Sequence, residues 1–181
     1  ESFREGLAPA QFGDLYGFIE RTGKFVIPPQ YEAAEPFADG LAQVVLAGKT
    51  GYINQRGGMV IEPVYDYGSD FHEGRALVSF DGKLVYINED GRVVIDLPNV
   101  TQGSRFSEGL AAVALDNRFG YVDLQGNTVI TPQFTYAGDF ANGIASFETK
   151  TAWGLLNSIG EIMLENQKFV PSAKATTDLV A

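Results

Sequence analysis

The stretch Phe37-Ala38-Asp39-Gly40-Leu41-Ala42 recurs four more times along the chain, and this recurrence predicts the fold. The other copies are Phe3-Arg4-Glu5-Gly6-Leu7-Ala8, Phe71-His72-Glu73-Gly74-Arg75-Ala76, Phe106-Ser107-Glu108-Gly109-Leu110-Ala111 and Phe140-Ala141-Asn142-Gly143-Ile144-Ala145. The phenylalanines are 34, 34, 35 and 34 residues apart. A period of roughly 20 to 50 residues is the signature of a repeat architecture. The sequence therefore predicts five tandem units, at about 3–36, 37–70, 71–105, 106–139 and 140–170.

A second landmark keeps the same period. It reads Gly17-Phe18-Ile19-Glu20, Gly51-Tyr52-Ile53-Asn54, Val85-Tyr86-Ile87-Asn88, Gly120-Tyr121-Val122-Asp123 and Gly154-Leu155-Leu156-Asn157. Another glycine follows three residues later in each copy, and an aliphatic run comes after it. The third copy departs most from this pattern, since it has Arg75 in place of Leu or Ile and Val85 in place of Gly.

The sequence pattern of each unit predicts three short β-strands. After the first glycine, apolar residues alternate with other residues, as in Ala42/Val44/Leu46, and this period of two is typical of a strand with one buried face. The second landmark predicts the next strand and the aliphatic run the third. This third strand is expected to stop near Pro29, Pro63, Pro98 and Pro132, because proline cannot donate to a continuing ladder. No stretch combines helical periodicity with capping signals.

The predicted fold is therefore an all-β tandem repeat that occupies residues 1–170 as one domain. A three-stranded unit cannot bury both of its faces alone, so neighbouring units must stack. We expect an open solenoid or superhelix. The alternative is a closed five-bladed propeller-like toroid, which would require the long loop of each unit to contain a fourth strand. Residues 171–181 are expected to form a poorly ordered tail.

Composition excludes several classes of function. The net charge of −10 argues against nucleic acid as a partner, because phosphate binding requires a surface rich in Lys and Arg. No apolar run approaches the roughly 20 residues that a membrane-spanning helix needs, so we expect no membrane insertion. The chain has no cysteine, which removes disulfides, Cys-ligated zinc and thiol catalysis. We expect no metal and no cofactor. Composition leaves the compartment open, with an extracytoplasmic or envelope location favoured over a cytoplasmic one.

Three sets of side chains are candidates for function. The acidic residues before the first glycine, Glu5, Asp39, Glu73 and Glu108, form an acidic column that could be a docking rim for a basic partner or simply a solvated loop rim. The aromatic column Tyr16, Phe119 and Trp153 varies between copies, so it is a candidate ligand-binding set. His72, the single histidine, is interpreted as a surface residue, and no catalytic residue is predicted.

A third column lies at a turn and comprises Glu20, Asn54, Asn88, Asp123 and Asn157. A calcium ladder would need mostly carboxylates, and only two of these five residues have one. Capping of turn backbone N–H groups explains the four Asn and Asp residues, whereas it explains Glu20 poorly.

The residues from Phe37 to Tyr65 resemble the bacterial WG-repeat, or KWG-repeat, unit nearly throughout. Trp153-Gly154 supplies the Trp-Gly pair that gives the family its name, whereas Tyr16, Thr50, Leu84 and Phe119 stand at the tryptophan position in the other copies. The resemblance covers about residues 3 to 165. It implies an interaction or surface module and no shared chemistry.

The favoured function is a non-catalytic protein–protein interaction or scaffold module, because nearly every polar position belongs to a repeated set while catalysis needs a unique constellation. One alternative is a lectin-like module that binds a carbohydrate or another cell-envelope component. A further alternative is a hydrolase that uses two of the acidic residues.

Overall fold

The computed structural model of the chain describes residues 2–167. The first sheet contains β1 (Leu7–Phe12), β2 (Leu15–Glu20) and β3 (Phe25–Tyr31). The second contains β4 (Ala33–Ala34), β5 (Leu41–Leu46), β6 (Lys49–Asn54) and β7 (Met59–Tyr65). The third contains β8 (Tyr67–Gly68), β9 (Ala76–Phe80), β10 (Lys83–Ile87) and β11 (Val93–Asp96). The fourth contains β12 (Val100–Gly103), β13 (Leu110–Leu115), β14 (Arg118–Asp123) and β15 (Thr128–Phe134). The fifth contains β16 (Tyr136–Ala137), β17 (Ile144–Glu148), β18 (Ala152–Asn157) and β19 (Ile162–Gln167).

All regular structure in residues 2–167 is β-strand, which confirms the predicted all-β tandem-repeat fold. Within each sheet, strands that are consecutive along the chain pair as antiparallel neighbours. Extensive contacts between strands run within one sheet or between sheets that are consecutive along the chain. The tail predicted at residues 171–181 lies outside the described residues.

The long loops of the first four units do contain a fourth strand, which pairs in the sheet of the following unit, so the expectation of three strands is wrong for sheets two to five. The additional strands β4, β8, β12 and β16 have two to four residues each and precede the repeated phenylalanine. A strand of two residues is too short to show an apolar alternation, and this is why the sequence pattern does not reveal it.

The third strand of a unit continues through its proline in three of the five sheets, contrary to the predicted stop. In the second sheet, Tyr52 pairs with Ile61 and Thr50 pairs with Tyr65. An interval of two residues on β6 therefore lies opposite an interval of four residues on β7. The extra residues form a bulge that contains Pro63. A bulge leaves its residues outside the ladder, so the missing N–H of proline costs no hydrogen bond. The corresponding bulges in β3 and β15 contain Pro28, Pro29 and Pro132.

The glycine of the second landmark faces this bulge. A Cβ atom on Gly51 would lie 2.7 Å from the carbonyl oxygen of Ile61 and 2.8 Å from the nitrogen of Pro63. In the third sheet, Val85 takes the place of this glycine and pairs with Asp96 in regular register. Strand β11 ends at Asp96, before Pro98, as predicted for that proline. The bulge therefore occurs only in sheets that have this glycine, because a residue without a side chain leaves room for the displaced backbone. The fifth sheet has the glycine without the bulge, since Gly154 pairs with Glu165 in regular register.

The core lies at the junctions between units. The repeated phenylalanine of one unit packs on an aromatic ring of the preceding unit, with ring centroids 4.9–5.0 Å apart. The pairs are Phe18–Phe37, Tyr52–Phe71, Tyr86–Phe106 and Tyr121–Phe140. Phe37, Phe71, Phe106 and Phe140 are buried, as is the repeated alanine of every unit. The interpretation of the phenylalanines as inter-repeat core is confirmed for these four residues.

Candidate interaction surface

The acidic column connects consecutive units through hydrogen bonds. Glu73 of the third unit accepts hydrogen bonds from the backbone N–H groups of Glu108 and Gly109, and Glu108 accepts them from Asn142 and Gly143. Further along the same column, the N–H of Gly40 donates to Glu5 at 3.2 Å and that of Gly74 donates to Asp39 at 3.1 Å. The four carboxylates remain exposed, so their role as a docking rim stays a prediction.

The backbone conformation of the turns that donate these hydrogen bonds explains why they bind a carboxylate. Glu108 has φ 55° and Gly109 has φ 79°, and Ser107 and Leu110 on either side exchange backbone hydrogen bonds. Two consecutive residues with positive φ direct their N–H groups into one concavity, which is an anion-binding arrangement. The carboxylate of the preceding unit fills it. The sequence shows that the acid and the glycine recur. It does not show that the acid of one unit binds the turn that contains the glycine of the next unit.

The aromatic column does not form one surface. Tyr16 and Phe119 are half-buried and pack against the core clusters of their own junctions. Trp153 alone of the three is exposed, at 45%. The three residues lie on β2, β14 and β18, which belong to three different sheets. Their role in ligand binding stays a prediction, and the burial of Tyr16 and Phe119 favours Trp153 as the member that a ligand could reach.

The turn column has the capping role that the sequence indicates. The side-chain Oδ1 of Asn54 accepts hydrogen bonds from the N–H groups of Arg56 and Gly58, both at 3.0 Å. Asn88, Asp123 and Asn157 make the same pair of contacts in their own turns. The hydrogen bonds to Asp123, led by that of the Asn127 side chain, lower the pKa of its carboxyl. Glu20 instead accepts a hydrogen bond from the Thr22 hydroxyl.

A polar cleft of about 330 Å³ spans three consecutive sheets. Its lining residues are Glu35, Gln43, Tyr67, Gly68, Ser69, Asp70, His72 and Arg105. Most of them lie on the short strands and the loops that precede the repeated phenylalanines. The ring of Tyr67 is 54% exposed. Sequence reasoning singled out only His72 from this set, because the other positions differ in residue type from one unit to the next.

A buried phenol supports the backbone of Ser69, which lines the cleft. The hydroxyl of Tyr52 donates a hydrogen bond to the backbone oxygen of Ser69 at 2.8 Å, and the hydroxyl of Ser69 accepts one from the N–H of Leu77. Burial raises the pKa of Tyr52, and the nearby negative charge of Asp70 raises it further. Tyr52 therefore stays protonated at neutral pH and keeps donating to the cleft backbone.

The charged groups of the cleft have both signs. Glu35 and Asp70 contribute carboxylates, while the guanidinium of Arg105 donates through Nε to Asp139 at 2.9 Å. Arg105 is thereby oriented by a group of the following unit. The cleft can accept hydrogen bonds from a ligand through its carboxylates and the Gln43 amide oxygen, and it offers the Tyr67 ring as an apolar contact.

A second cavity, of about 470 Å³, lies at the irregular third unit. Its lining residues are Gly82, Lys83, Leu84, Asp96, Leu97, Pro98, Asn99 and Val100. It lies where β11 ends at Asp96 and the chain continues toward β12. Among residues 2–167, no helix is long and apolar enough to cross a membrane.

A sequence model of the "WG containing repeat" matches the chain in four consecutive segments, residues 16–49, 51–83, 86–118 and 119–150. Together these segments cover 132 of the 181 residues. No curated protein sequence matches the chain.

Solved structures of other proteins resemble the fold. A crystal structure of the eukaryotic initiation factor aligns with a TM-score of 0.58 at 11% identity, and covers 89% of this chain and 51% of that one. "KlHsv2 with loop 6CD replaced by a Gly-Ser linker" aligns with a TM-score of 0.54 at 9% identity, and covers 81% of this chain and 58% of that one. Both have β-propeller-like folds, and this chain spans little more than half of their length. At such identities the likeness concerns the fold alone.

Proposed function

Since the chain belongs to the WG-repeat family, we propose that it is a non-catalytic interaction module that binds another protein through the polar cleft. The observation that carries this proposal is the composition of the cleft, in which three consecutive sheets contribute side chains to one concave surface. A partner that contacts all three sheets would recognise the array as a whole, which a scaffold requires.

The exposed ring of Tyr67 supports a protein ligand. Tyrosine is enriched at protein interfaces because it combines a large apolar ring with a polar tip and few rotatable bonds. Tyr67 and the half-buried Asp70 line the same cleft. A ring face beside a carboxylate suits a cationic side chain.

The charge of the chain supports a basic partner. The net charge of −10 attracts a positively charged protein over long distances and increases its rate of association. Within the cleft, Glu35 and Asp70 add negative charge near the contact surface. We therefore expect the partner to present a Lys or Arg side chain to Tyr67 and Asp70.

Selection of peptides from a display library against the purified full chain tests this function. The affinities of the selected peptides are then measured for Tyr67→Ala, Asp70→Asn and a matched control, Tyr136→Ala. Tyr136 occupies the same position of a later unit on β16 and is equally exposed, at 50%, but it does not line the cleft.

We expect the selected peptides to be rich in Lys or Arg and to lose affinity for the Tyr67 and Asp70 variants by at least a factor of ten, or about 1.4 kcal/mol. The Tyr136 variant should bind like the wild type. The function would be contradicted by a library without enrichment, or by peptides that bind all three variants equally.

Carbohydrate binding is the second candidate, and the same cleft supports it. An exposed tyrosine ring can stack on the face of a sugar, while the Gln43 amide and the Asp70 carboxylate could bind hydroxyl groups. A glycan array separates the two functions. Binding to any glycan that Tyr67→Ala abolishes would favour the lectin-like function, whereas an array without signal would exclude it for the glycans present.

A further inference from the structure

Asn142 is the only asparagine of the sequence that is followed by glycine. Asn-Gly is the dipeptide most prone to deamidation, because glycine has no side chain that hinders the approach of its nitrogen to the asparagine side chain. In the other four units, the position of Asn142 is occupied by a residue of the acidic column. Deamidation would therefore convert the one amide at this position of the repeat into an acid.

The reaction takes place between the side chain of Asn142 and the backbone of Gly143. The nitrogen of Gly143 loses its proton and attacks the Cγ atom of Asn142. A new N–C bond closes a succinimide ring, and the side-chain nitrogen leaves as ammonia together with the proton. Water then opens the ring at either carbonyl and gives aspartate or isoaspartate. Water is the sole co-reactant, and no group is oxidised or reduced.

The attacking nitrogen is held by a carboxylate of the preceding unit. The N–H of Gly143 donates a hydrogen bond to Oε2 of Glu108 at 2.7 Å, and the N–H of Asn142 donates to Oε1 at 2.6 Å. Hydrogen bonds to charged groups are stronger than those between neutral groups. Removal of the proton from Gly143 would break such a bond and place an amide anion beside a negative carboxylate. Glu108 therefore opposes the first step of the reaction.

The turn that contains the two residues is also closed by its own backbone. Ala141 and Ile144 exchange backbone hydrogen bonds of 2.9 Å and 3.2 Å across it. Asn142 has φ 54° and Gly143 has φ 76°, so the peptide between them belongs to a tight turn. Ring closure requires the Gly143 nitrogen to move to bonding distance of Cγ. These hydrogen bonds and the Glu108 carboxylate fix the orientation of the peptide and oppose this movement.

We propose that Asn142 is a deamidation site, and that Glu108 protects it as long as the junction between the fourth and fifth units is closed. Opening of the junction separates the carboxylate from the N–H of Gly143 and allows the ring to form. The same opening would separate Phe140 from Tyr121, whose ring centroids lie 4.9 Å apart. Deamidation of Asn142 then records how often the junction opens. This inference is independent of the polar cleft and of the partner that the cleft binds.

The test follows the reaction on the full chain by mass spectrometry of its peptides. The protein is incubated at mildly alkaline pH, where the amide loses its proton more readily, and the conversion of Asn142 to an acid is measured over time. Asn142→Asp provides the reference for the aspartate product. We expect the chain unfolded in urea to react at least about ten times faster than the folded chain, since protection of about 1.4 kcal/mol gives this factor.

Glu108→Ala removes both acceptor oxygens from the turn. In the folded chain, it should increase the rate of deamidation by about a factor of ten, as expected for the loss of a hydrogen bond to a charged group. Glu108→Gln keeps one acceptor oxygen and should increase the rate less, and it serves as the variant to use if Glu108→Ala does not fold. Thermal unfolding of each variant checks that the fold is retained.

Asp39→Ala is the matched control. Asp39 supplies the carboxylate that accepts the N–H of Gly74 at another junction, so its removal takes an acid from the same column and leaves Glu108 in contact with Gly143. This variant should deamidate at the rate of the wild type.

Equal rates for the folded and the unfolded wild-type chain would overturn the proposal, because the fold would then give no protection. So would folded Glu108 variants that react at the wild-type rate. An increase for Asp39→Ala as large as that for Glu108→Ala would also overturn it, since a general loss of stability would then explain the reaction.

Discussion

The carboxylate of Glu73 holds the turn that begins at Glu108 in the following unit. Its Oε1 accepts the N–H of Glu108 at 2.7 Å, and its Oε2 accepts the N–H of Gly109 at 2.8 Å. Glu108 in turn uses its own carboxylate on the next turn. Asp39, Glu73 and Glu108 thus each form part of a turn that binds a carboxylate and also supply the carboxylate for the turn of the next unit.

Glu73→Gln should lower the free energy of unfolding by about 1 kcal/mol. Glutamine keeps one acceptor oxygen but places a donor NH₂ against a backbone N–H, so one hydrogen bond is lost. Urea denaturation measures the change. Glu62→Gln is the control, since Glu62 is an exposed residue of β7 outside the acidic column, and its effect should stay within about 0.5 kcal/mol. Equal effects of the two substitutions would show that the column contributes no stability.

Gly51→Ala should cost about 1–3 kcal/mol, in the range typical of overpacking. The added methyl group would lie 2.7 Å from the carbonyl oxygen of Ile61 and 2.8 Å from the nitrogen of Pro63. Both atoms belong to the backbone, which cannot move without disrupting the bulge. Thermal unfolding of the variant measures the cost. If the loss is below about 0.5 kcal/mol, the bulge adapts and the glycine is not a steric requirement.

Phe71→Ala should lower the free energy of unfolding by about 3–5 kcal/mol, as for other large buried aromatic residues. Phe71 is 1% exposed, and its ring centroid lies 5.0 Å from that of Tyr52 in the preceding unit. Phe12→Ala, at an exposed ring of β1, serves as the control and should have a much smaller effect. A loss of less than about 1 kcal/mol for Phe71→Ala would contradict the assignment of the junction as core.

Stability should fall steeply above pH 10. Burial raises the pKa of Tyr52, Tyr86 and Tyr121 above the ordinary value of 10.0. Below that pH both the folded and the unfolded chain keep these protons, so the three tyrosines make their full contribution to the free energy of unfolding. Above it the unfolded chain releases protons first, and each tyrosine lowers the free energy of unfolding by up to about 1.4 kcal/mol per pH unit.

Urea denaturation at a series of alkaline pH values measures this slope. Tyr121→Phe removes one of these three groups and should reduce the slope by up to about 1.4 kcal/mol per pH unit. Tyr31 and Tyr65, whose pKa is also raised by burial, continue to contribute. An identical slope for this variant and the wild type would show that other groups cause the alkaline loss of stability.

Small-angle scattering addresses the overall arrangement of the units. Among residues 2–167, extensive contacts between sheets join only consecutive sheets, so we expect an open array. Its radius of gyration should exceed the roughly 16 Å of a compact domain of this length. A value at or below that figure would favour a closed ring.

Much of the fold could be predicted from the sequence, because the units are similar enough for a position to be compared five times. The burial of Phe37 and Phe71, and the capping by Asn54, follow from residue type and a constant period. The short strands β4 and β8 could not be predicted in this way, since two residues carry no periodicity. The predicted end of the strand at Pro63 is wrong, because the effect of proline depends on whether the ladder needs a donor at that position. The bulge removes that need.

For the candidate sites, the sequence shows which residues recur, whereas the contacts of each recurring residue follow from the packing of the units. The acidic column is recognisable in the sequence as a set, yet its partners are backbone N–H groups about 35 residues away. Every residue type except proline has such a group, so residue types do not reveal these contacts. Tyr67, Asp70 and Arg105 meet in one cleft although they share no motif. Local patterns encode strands and turns, which depend on neighbours along the chain, whereas a surface built from several units depends on how those units pack.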